Sequence, residues 1–364
     1  MSSAEDSVWM AQALQLAERG LYTTSPNPRV GCVLVKEGKL LAEGWHQRAG
    51  EQHAEVHALR SAGDKARGAT AYVTLEPCSH HGRTPPCADA LIAAGVARVV
   101  VAMQDPNPQV AGQGLARLRN AGIAVECGLM EASARTLNAG FISRMTHGFP
   151  FVRSKIAMSL DGRTALSNGA SQWITGAEAR RDAHHWRARS CAVLTGIGTV
   201  LADDAQLTVR DVDTTRQPLR VVLDSKLCIP DTARILRGGN TLIYTVSRDI
   251  QKIAALEKAG VMVAVMPSVQ GRVDLAACMK DLAAQDINEI LVEAGSTLNG
   301  ALLQAGLVDE LLLYLAPQLL GDMARGMVQL GALTKLEQRI ELGWQDVRQV
   351  GKDLRILVTV KNNR

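Results

Sequence analysis

Residues 74–87 read Thr74-Leu75-Glu76-Pro77-Cys78-Ser79-His80-His81-Gly82-Arg83-Thr84-Pro85-Pro86-Cys87, and upstream stands Glu51-Gln52-His53-Ala54-Glu55. One imidazole and two thiolates can hold a tetrahedral Zn2+ and leave a fourth position open to water. A glutamate two residues beyond the histidine can then move protons without ligating the metal. His53, Cys78 and Cys87 are the expected ligands, and Glu55 the expected catalytic acid–base. A lone His-x-Glu means nothing, and a lone cysteine pair is often two buried thiols. The combination is informative because each piece falls where a strand meets a helix. A helix is expected from about His53 to Ala62, closed by Gly63. A strand is expected over Thr70–Leu75, and Pro85-Pro86 opens a helix ending at Gly95. Helix N-termini suit anionic thiolates. His80 and His81 are rival ligands. Residues 79–86 read better as a substrate-binding loop.

Outward from this stretch the pattern is mixed. Ser7 is placed to cap a helix running to Arg19, with Gly20 as its stop. Val30–Val35 is a β-run that Glu37-Gly38 turns back into Leu40-Leu41-Ala42. Strands over 98–103 and 123–127 flank a helix over 114–120. Strands separated by helices imply a covered, partly parallel sheet. Ser25-Pro26-Asn27-Pro28 has two readings: a rigid turn, or prolines that hold the Asn27 amide still to read a ring edge. Arg144–Pro150 is polar and turn-like, which places a domain boundary near residue 148: 1–147 and 148–364. Beyond it, Thr175-Gly176-Ala177-Glu178 reads as a capping box for a helix to about Arg189. Apolar β-runs follow at 192–195, 221–223, 242–246, 261–265, 290–292, 310–315 and 354–360, with helical stretches at 250–258, 275–284 and 298–304.

Composition narrows the function. At 364 residues two domains are expected, and 47% apolar content supplies two cores. Net charge is +4 with no long basic run, and aromatics are 3%, which together speak against a nucleic-acid surface. No stretch approaches the roughly 18 apolar residues of a membrane span. No secretory signal is visible. Seven cysteines, an odd number, then read as reduced thiols and ligands in a cytosolic protein.

A histidine, two cysteines and a shuttle glutamate form the constellation of zinc nucleobase deaminases. The general signature has two residues between the cysteines, whereas this chain has eight. With TSPNPRVGCVLV, GEQHAEVHAL, TLEPCSHHGRTPPC and MQDPNPQVAGQG, the first half resembles the pyrimidine deaminase domain of the bifunctional deaminase/reductases of riboflavin biosynthesis. The longer spacer matches that family's own pattern. KIAMSLDGRTA, SQWIT, ARRDAHHWRARS, TGIGTVLADDAQLTVR, VVLDS and VEAGSTLNGALLQAGLVDEL resemble its reductase domain.

The resemblance implies an α/β protein: a cytidine-deaminase-like three-layer domain, then a dihydrofolate-reductase-like domain. It implies a pyrimidine ribonucleotide substrate, Zn2+ and NADPH. Ser171, Arg187, Leu207, Arg210 and Glu293 match substrate positions, and Asn27 is the substrate-binding candidate that the Pro-Asn-Pro segment itself offers. Ala157, Trp173, Thr199, Asp203, Ser225 and the turn Gly295-Ser296-Thr297-Leu298 match nucleotide positions. Without the resemblance, Arg187 on an arginine-rich helix reads as a solvated charge and Trp173 as core. Gly196-Ile197-Gly198 lacks the third glycine of a dinucleotide fingerprint. Asp203 and Lys155 are the titratable groups to consider for proton delivery in the reduction. A homo-oligomer, dimer or tetramer, is expected. The competing reading is a nucleic-acid (tRNA) deaminase with an appended binding module.

Overall fold

A computed structural model describes residues 3–79, 85–108 and 110–361. The chain divides into two compact units, Met1–Gly148 and Phe149–Arg364.

In the first unit α1 (Ala4–Glu18) precedes a hairpin of β1 (Gly31–Lys36) and β2 (Lys39–Trp45). Then α2 (Ala54–Ala62), β3 (Thr70–Val73), α3 (Cys87–Ala94), β4 (Arg98–Val101), α4 (Gln113–Asn120) and β5 (Ala124–Cys127) alternate, before α5 (Glu131–Leu137) and α6 (Ala139–His147). The sheet order is β2-β1-β3-β4-β5. β1 is antiparallel to β2 and β3, while β3, β4 and β5 run parallel. Two glycines show how the layers form. A Cβ on Gly31 would lie 1.9 Å from the Ala13 carbonyl of α1, and one on Gly44 would lie 2.5 Å from the Ala54 carbonyl of α2. Gly44 pairs with Cys32, the neighbour of Gly31, so the two glycines face opposite sides of the sheet. Helices therefore cover both faces, and α2 sits against the hairpin because no side chain intervenes. Met10, Leu34, Leu91, Met103 and Leu118 are fully buried in this core, each stabilising the fold by about 1.5–3 kcal/mol relative to exposure.

Some details differ from the sequence reading. Ser3, not Ser7, caps α1, in a reciprocal capping box with Asp6. Arg144–His147 are not a turn but the last residues of α6, which the polar composition concealed. The expected box at Thr175–Glu178 does not form: Gly176 is the N-cap residue of the next helix, and no side chain caps it.

The second unit begins with β6 (Phe151–Ser159), β7 (Arg163–Ala165), α7 (Ala177–Arg189), β8 (Ala192–Gly196), α8 (Ile197–Asp203), β9 (Leu219–Leu223), β10 (Thr241–Thr245) and α9 (Ile250–Lys258). β11 (Met262–Val265), β12 (Ser268–Val269), β13 (Arg272–Val273), α10 (Leu275–Ala284), β14 (Glu289–Val292) and α11 (Ser296–Gln304) follow. The chain then forms β15 (Glu310–Ala316), β16 (Arg325–Gly326), β17 (Leu342–Val350) and β18 (Asp353–Val360). The main sheet runs β11-β10-β9-β8-β14-β6-β15-β18-β17, while β7 pairs β16 and β12 pairs β13. From β11 to β15 all neighbours are parallel, and β18 and β17 close the sheet as an antiparallel hairpin. β17 escaped the sequence reading because it is an edge strand with exposed residues on both faces. From β8 to β11 the chain moves one way across the sheet, and β14 then returns to fill the slot between β8 and β6. Ligands of open parallel sheets bind beyond the strands' carboxyl ends at such a reversal. No helix among the described residues is long and apolar enough to cross a membrane.

Candidate active site

His53 is the N-cap residue of α2, extended at ψ 164°, so its ring leaves the helix start sideways while Glu55 enters the first turn. Cys87 is the first residue of α3, and the Ala88 N–H bonds the Cys78 carbonyl at 3.1 Å. These two junctions bring His53, Cys78 and Cys87 together, with their ligand atoms all within 4.8 Å of one another. His53 Nδ1 lies 3.3 Å from Cys87 Sγ and 3.6 Å from Cys78 Sγ. A single ring N–H cannot serve two sulfurs well. The spacing instead resembles the edges of a zinc tetrahedron, about 3.5 Å between N and S for the usual bond lengths. The donor set, soft thiolates with an imidazole, is also zinc's own.

The electrostatics favour a cation here. Cys78 accepts the Cys87 backbone N–H at 3.3 Å, at the positive end of α3. Hydrogen bonding from Cys87 and from His53 pulls the Cys78 thiol down to about 4, whereas that same bond and burial push the Cys87 thiol far up. A divalent ion would favour the deprotonated form of both thiols. Burial raises the Glu55 carboxyl to about 7. Its Oε2 is buried without a hydrogen-bond partner, an acceptor that an attacking water would satisfy.

The sequence reading missed His46. Its Nδ1 lies 3.0 Å from the Gln52 carbonyl, to which only a ring N–H can bond, so Nε2 is left as an acceptor for Asn27 Nδ2 at 3.1 Å. Its ring meets His53 edge-on, 5.4 Å between centroids. Asn27 is thereby fixed relative to the ligand cluster. Nothing around His46 in the sequence marks it, because the link depends on β2 lying beside the Asn27 turn. His80 and His81 lie outside the described residues, as do Gly82, Arg83 and Thr84 of the proposed substrate loop.

In the second unit Arg187, on α7, is nearly buried and donates to both oxygens of Glu293, just beyond β14, with Nη2 to Oε2 at 2.9 Å. Its Nη1 bonds the Thr208 carbonyl at 3.0 Å. Lys155 Nζ, on β6, lies 3.6 Å from the same carboxylate. Burial would raise the Glu293 carboxyl, but the charges of Arg187 and Lys155 outweigh it and hold it at about 2. Arg187 is thus no solvated charge. His184, one turn earlier on α7, was also missed: its Nδ1 accepts the Arg210 backbone N–H at 3.3 Å. The Arg210 side chain is exposed, and Leu207 is buried with φ 55°.

Trp173 is not core: it is 68% exposed, with Arg180 over its ring at 4.5 Å. Ser171 shares its segment. Thr199 and Asp203 lie on α8, and Ser225 follows β9, its Oγ accepting the Val273 N–H at 3.1 Å. Ala157 lies on β6 opposite Tyr314. Gly295 is the N-cap residue of α11, and Ser296, Thr297 and Leu298 form its first turn. Gly196 likewise precedes α8. Because β8 and β14 are adjacent and parallel, the two helix N-termini start side by side at the strands' carboxyl ends. A Cβ on Gly295 or Gly198 would meet nothing within 4 Å. This open cradle of backbone N–H groups fits a pyrophosphate.

Residues 3–103 match the family model for the zinc-binding region of cytidine and deoxycytidylate deaminases, and residues 150–356 match that for the RibD C-terminal domain. The chain is 54% identical to the riboflavin biosynthesis protein RibD of Escherichia coli, covering 96% of this chain and 98% of that one. It is 47% identical to RibD of Haemophilus influenzae, over 99% and 98% of the two chains. Among solved structures, Acinetobacter baumannii RibD superposes with a TM-score of 0.91 at 48% identity, covering 98% of this chain and 99% of that one. A Thermotoga maritima protein named as a diaminohydroxyphosphoribosylaminopyrimidine deaminase/5-amino-6-(5-phosphoribosylamino)uracil reductase gives 0.87 at 34% identity, with the same coverage.

Fold and site together define a zinc-dependent pyrimidine deaminase of the cytidine deaminase type joined in one chain to a reductase. The chain belongs to the RibD family, the bifunctional deaminase/reductases of riboflavin biosynthesis. The tRNA deaminase alternative is set aside, since the second half is a RibD reductase domain rather than a nucleic-acid-binding module.

Proposed function

We propose that the first unit hydrolyses the 2-amino group of 2,5-diamino-6-(5-phosphoribosylamino)pyrimidin-4(3H)-one, and that the second reduces the product's ribosyl group to ribityl with NADPH. The observation that carries the deaminase assignment is the His53–Cys78–Cys87 cluster beside the unpartnered Glu55 Oε2. Zn2+ held by these three ligands supplies Lewis-acid activation of water. Glu55 takes one proton of the attacking water at Oε2 and passes it to the ring nitrogen, then takes the second as the carbonyl forms and passes it to the leaving amine, which departs as ammonia. Asn27, steadied by His46, orients the pyrimidine edge.

In the reductase, NADPH supplies the hydride. The N-termini of α8 and α11 would hold its pyrophosphate, and Ala157, Trp173, Thr199, Asp203 and Ser225 would hold the rest of it. Glu293, kept ionised by Arg187 and Lys155, accepts hydrogen bonds from substrate hydroxyls, with Ser171 and Leu207 alongside. Arg187 and Arg210 are the guanidinium groups assigned to the substrate, Arg187 held by Glu293 and Arg210 with its exposed side chain toward the 5′-phosphate. Lys155 or Asp203 delivers the proton that accompanies the hydride.

The activities are assigned to residues 1–147 and 148–364. A homo-oligomer is proposed through the edge strand β17, where Trp344 and Val347 are exposed. Seven free thiols suit a reducing, cytosolic compartment. One purified sample tests the central reading: zinc content, ammonia release from the aminopyrimidine nucleotide, and NADPH oxidation by the deaminated product. Ammonia release from an RNA hairpin but not from the free nucleotide would overturn it. Sedimentation tests the oligomer.

A further inference from the structure

Glu76 stands two residues before the ligand Cys78 and is 5% exposed. Its carboxylate accepts four backbone N–H groups: Asp105 at 3.0 Å and Gly112 at 2.9 Å on Oε2, Gly114 at 2.8 Å and Leu115 at 3.2 Å on Oε1. Gly112 is the N-cap residue of α4, has no side chain to cap with, and lies in the left-handed region. Gly114 and Leu115 belong to the first turn, whose N–H groups have no partner within a helix. Glu76 is thus the cap of α4, supplied from a distant segment. The Glu76 N–H itself bonds the Met103 carbonyl at 3.0 Å. A Cβ on Gly114 would lie 2.0 Å from the Pro77 carbonyl, so α4 rests directly on the peptide between Glu76 and Cys78. Ordinary helix capping needs only a neighbouring Ser or Asp. A buried carboxylate accepting four N–H groups from a segment 29 to 39 residues away fixes something besides the helix.

We propose that Glu76 is a positioning residue for the metal centre: by fastening the Glu76-Pro77-Cys78 turn to the start of α4 and to Asp105, it sets Cys78 Sγ at ligand distance from His53 and Cys87. All four partners are donors and a carboxylate is acceptor-only, so the charge is required as well as the shape. In Glu76→Gln the amide NH2 must turn toward one pair of N–H groups, leaving that pair without an acceptor.

The test uses the full chain, stripped of metal and titrated with Zn2+ against a chromophoric chelator, then with Co2+ as a spectroscopic probe. NADPH oxidation by the same sample reports an intact second unit. Glu76→Gln is expected to weaken Zn2+ binding about 10–100-fold, the usual cost of losing a group that orients a ligand, and to alter the intensity of the Co2+ thiolate bands. The metal-free thermal transition is measured alongside. Zinc affinity within twofold of wild type overturns the proposal. So does a loss that follows only the unfolded fraction and vanishes on cooling, because Glu76 would then support the fold alone. If Glu76→Gln does not fold, Glu76→Asp decides. It keeps the charge but is too short to reach both donor pairs, so weakened Zn2+ binding in a folded chain is expected and undiminished binding overturns the proposal.

Discussion

Arg187 lies along the Glu293 carboxylate, with Nη2 2.9 Å from Oε2 and Nε on the other oxygen, and both side chains are nearly buried. Glu293 has an ordinary carboxyl value of 4.5 and a folded value of about 2. A group depressed in the folded state contributes stability that is present above its unfolded value and is lost as pH falls through the folded one. The second unit should therefore lose on the order of 3 kcal/mol from this group between about pH 4.5 and 2. Arg187→Met removes the pairing and leaves a buried charge, at a cost of about 3–5 kcal/mol near neutrality. Urea midpoints from pH 7 down to 3 check both points. The variant should start lower and fall less on acidification, and parallel curves would count against the pairing.

Cys78→Ala should lose most bound zinc and all ammonia release, while NADPH oxidation by the deaminated substrate continues. Metal analysis of the purified variant is decisive. Full zinc occupancy would move the ligand role to His80 or His81.

Glu55→Gln should keep zinc and fold but slow deamination by about 10²-fold or more, the usual contribution of general acid–base catalysis. The exchange strands no donor at Oε2, which has no hydrogen-bond partner to lose. Ammonia release at the wild-type rate would remove Glu55 from the mechanism.

Arg210→Ala should reduce reductase kcat/KM for the phosphorylated substrate by about one to two powers of ten, the usual effect of losing a charge-assisted contact of about 1.5–3 kcal/mol. Deamination and the Kd for NADPH should hold. A steady-state comparison separates the outcomes: equal efficiency makes Arg210 a surface charge, and a loss confined to NADPH affinity reassigns it to the nucleotide.

The ligand cluster was legible in the sequence because its signals are local. His53 and Glu55 fall at a helix start, and Cys78 and Cys87 lie before and at the start of another, so strand–helix punctuation marks both junctions, which packing then brings together. Element boundaries shifted where local signals competed. Ser3 and Ser7 both offer a hydroxyl near the start of α1, but only Ser3 has Asp6 at the reciprocal position. The box at Thr175–Glu178 had the right residues, yet Gly176 takes the N-cap position and bonds Asp353 Oδ2 at 2.6 Å, an acceptor far along the chain.

By itself the sequence determined the α/β alternation, the grouping of His53, Cys78 and Cys87 as candidate ligands and, through its motifs, the family. Tertiary structure alone decided which charges are partnered. Arg187 and Glu293 stand 106 residues apart, and no periodicity or cap signal links them. The return of β14 to the slot beside β8 sets them face to face, and burial then makes the pairing obligatory. The same holds for His46 beside Asn27 and for Glu76 beneath α4. A short motif can specify a residue's chemistry, but its partner is fixed only when distant segments pack and water is excluded between them.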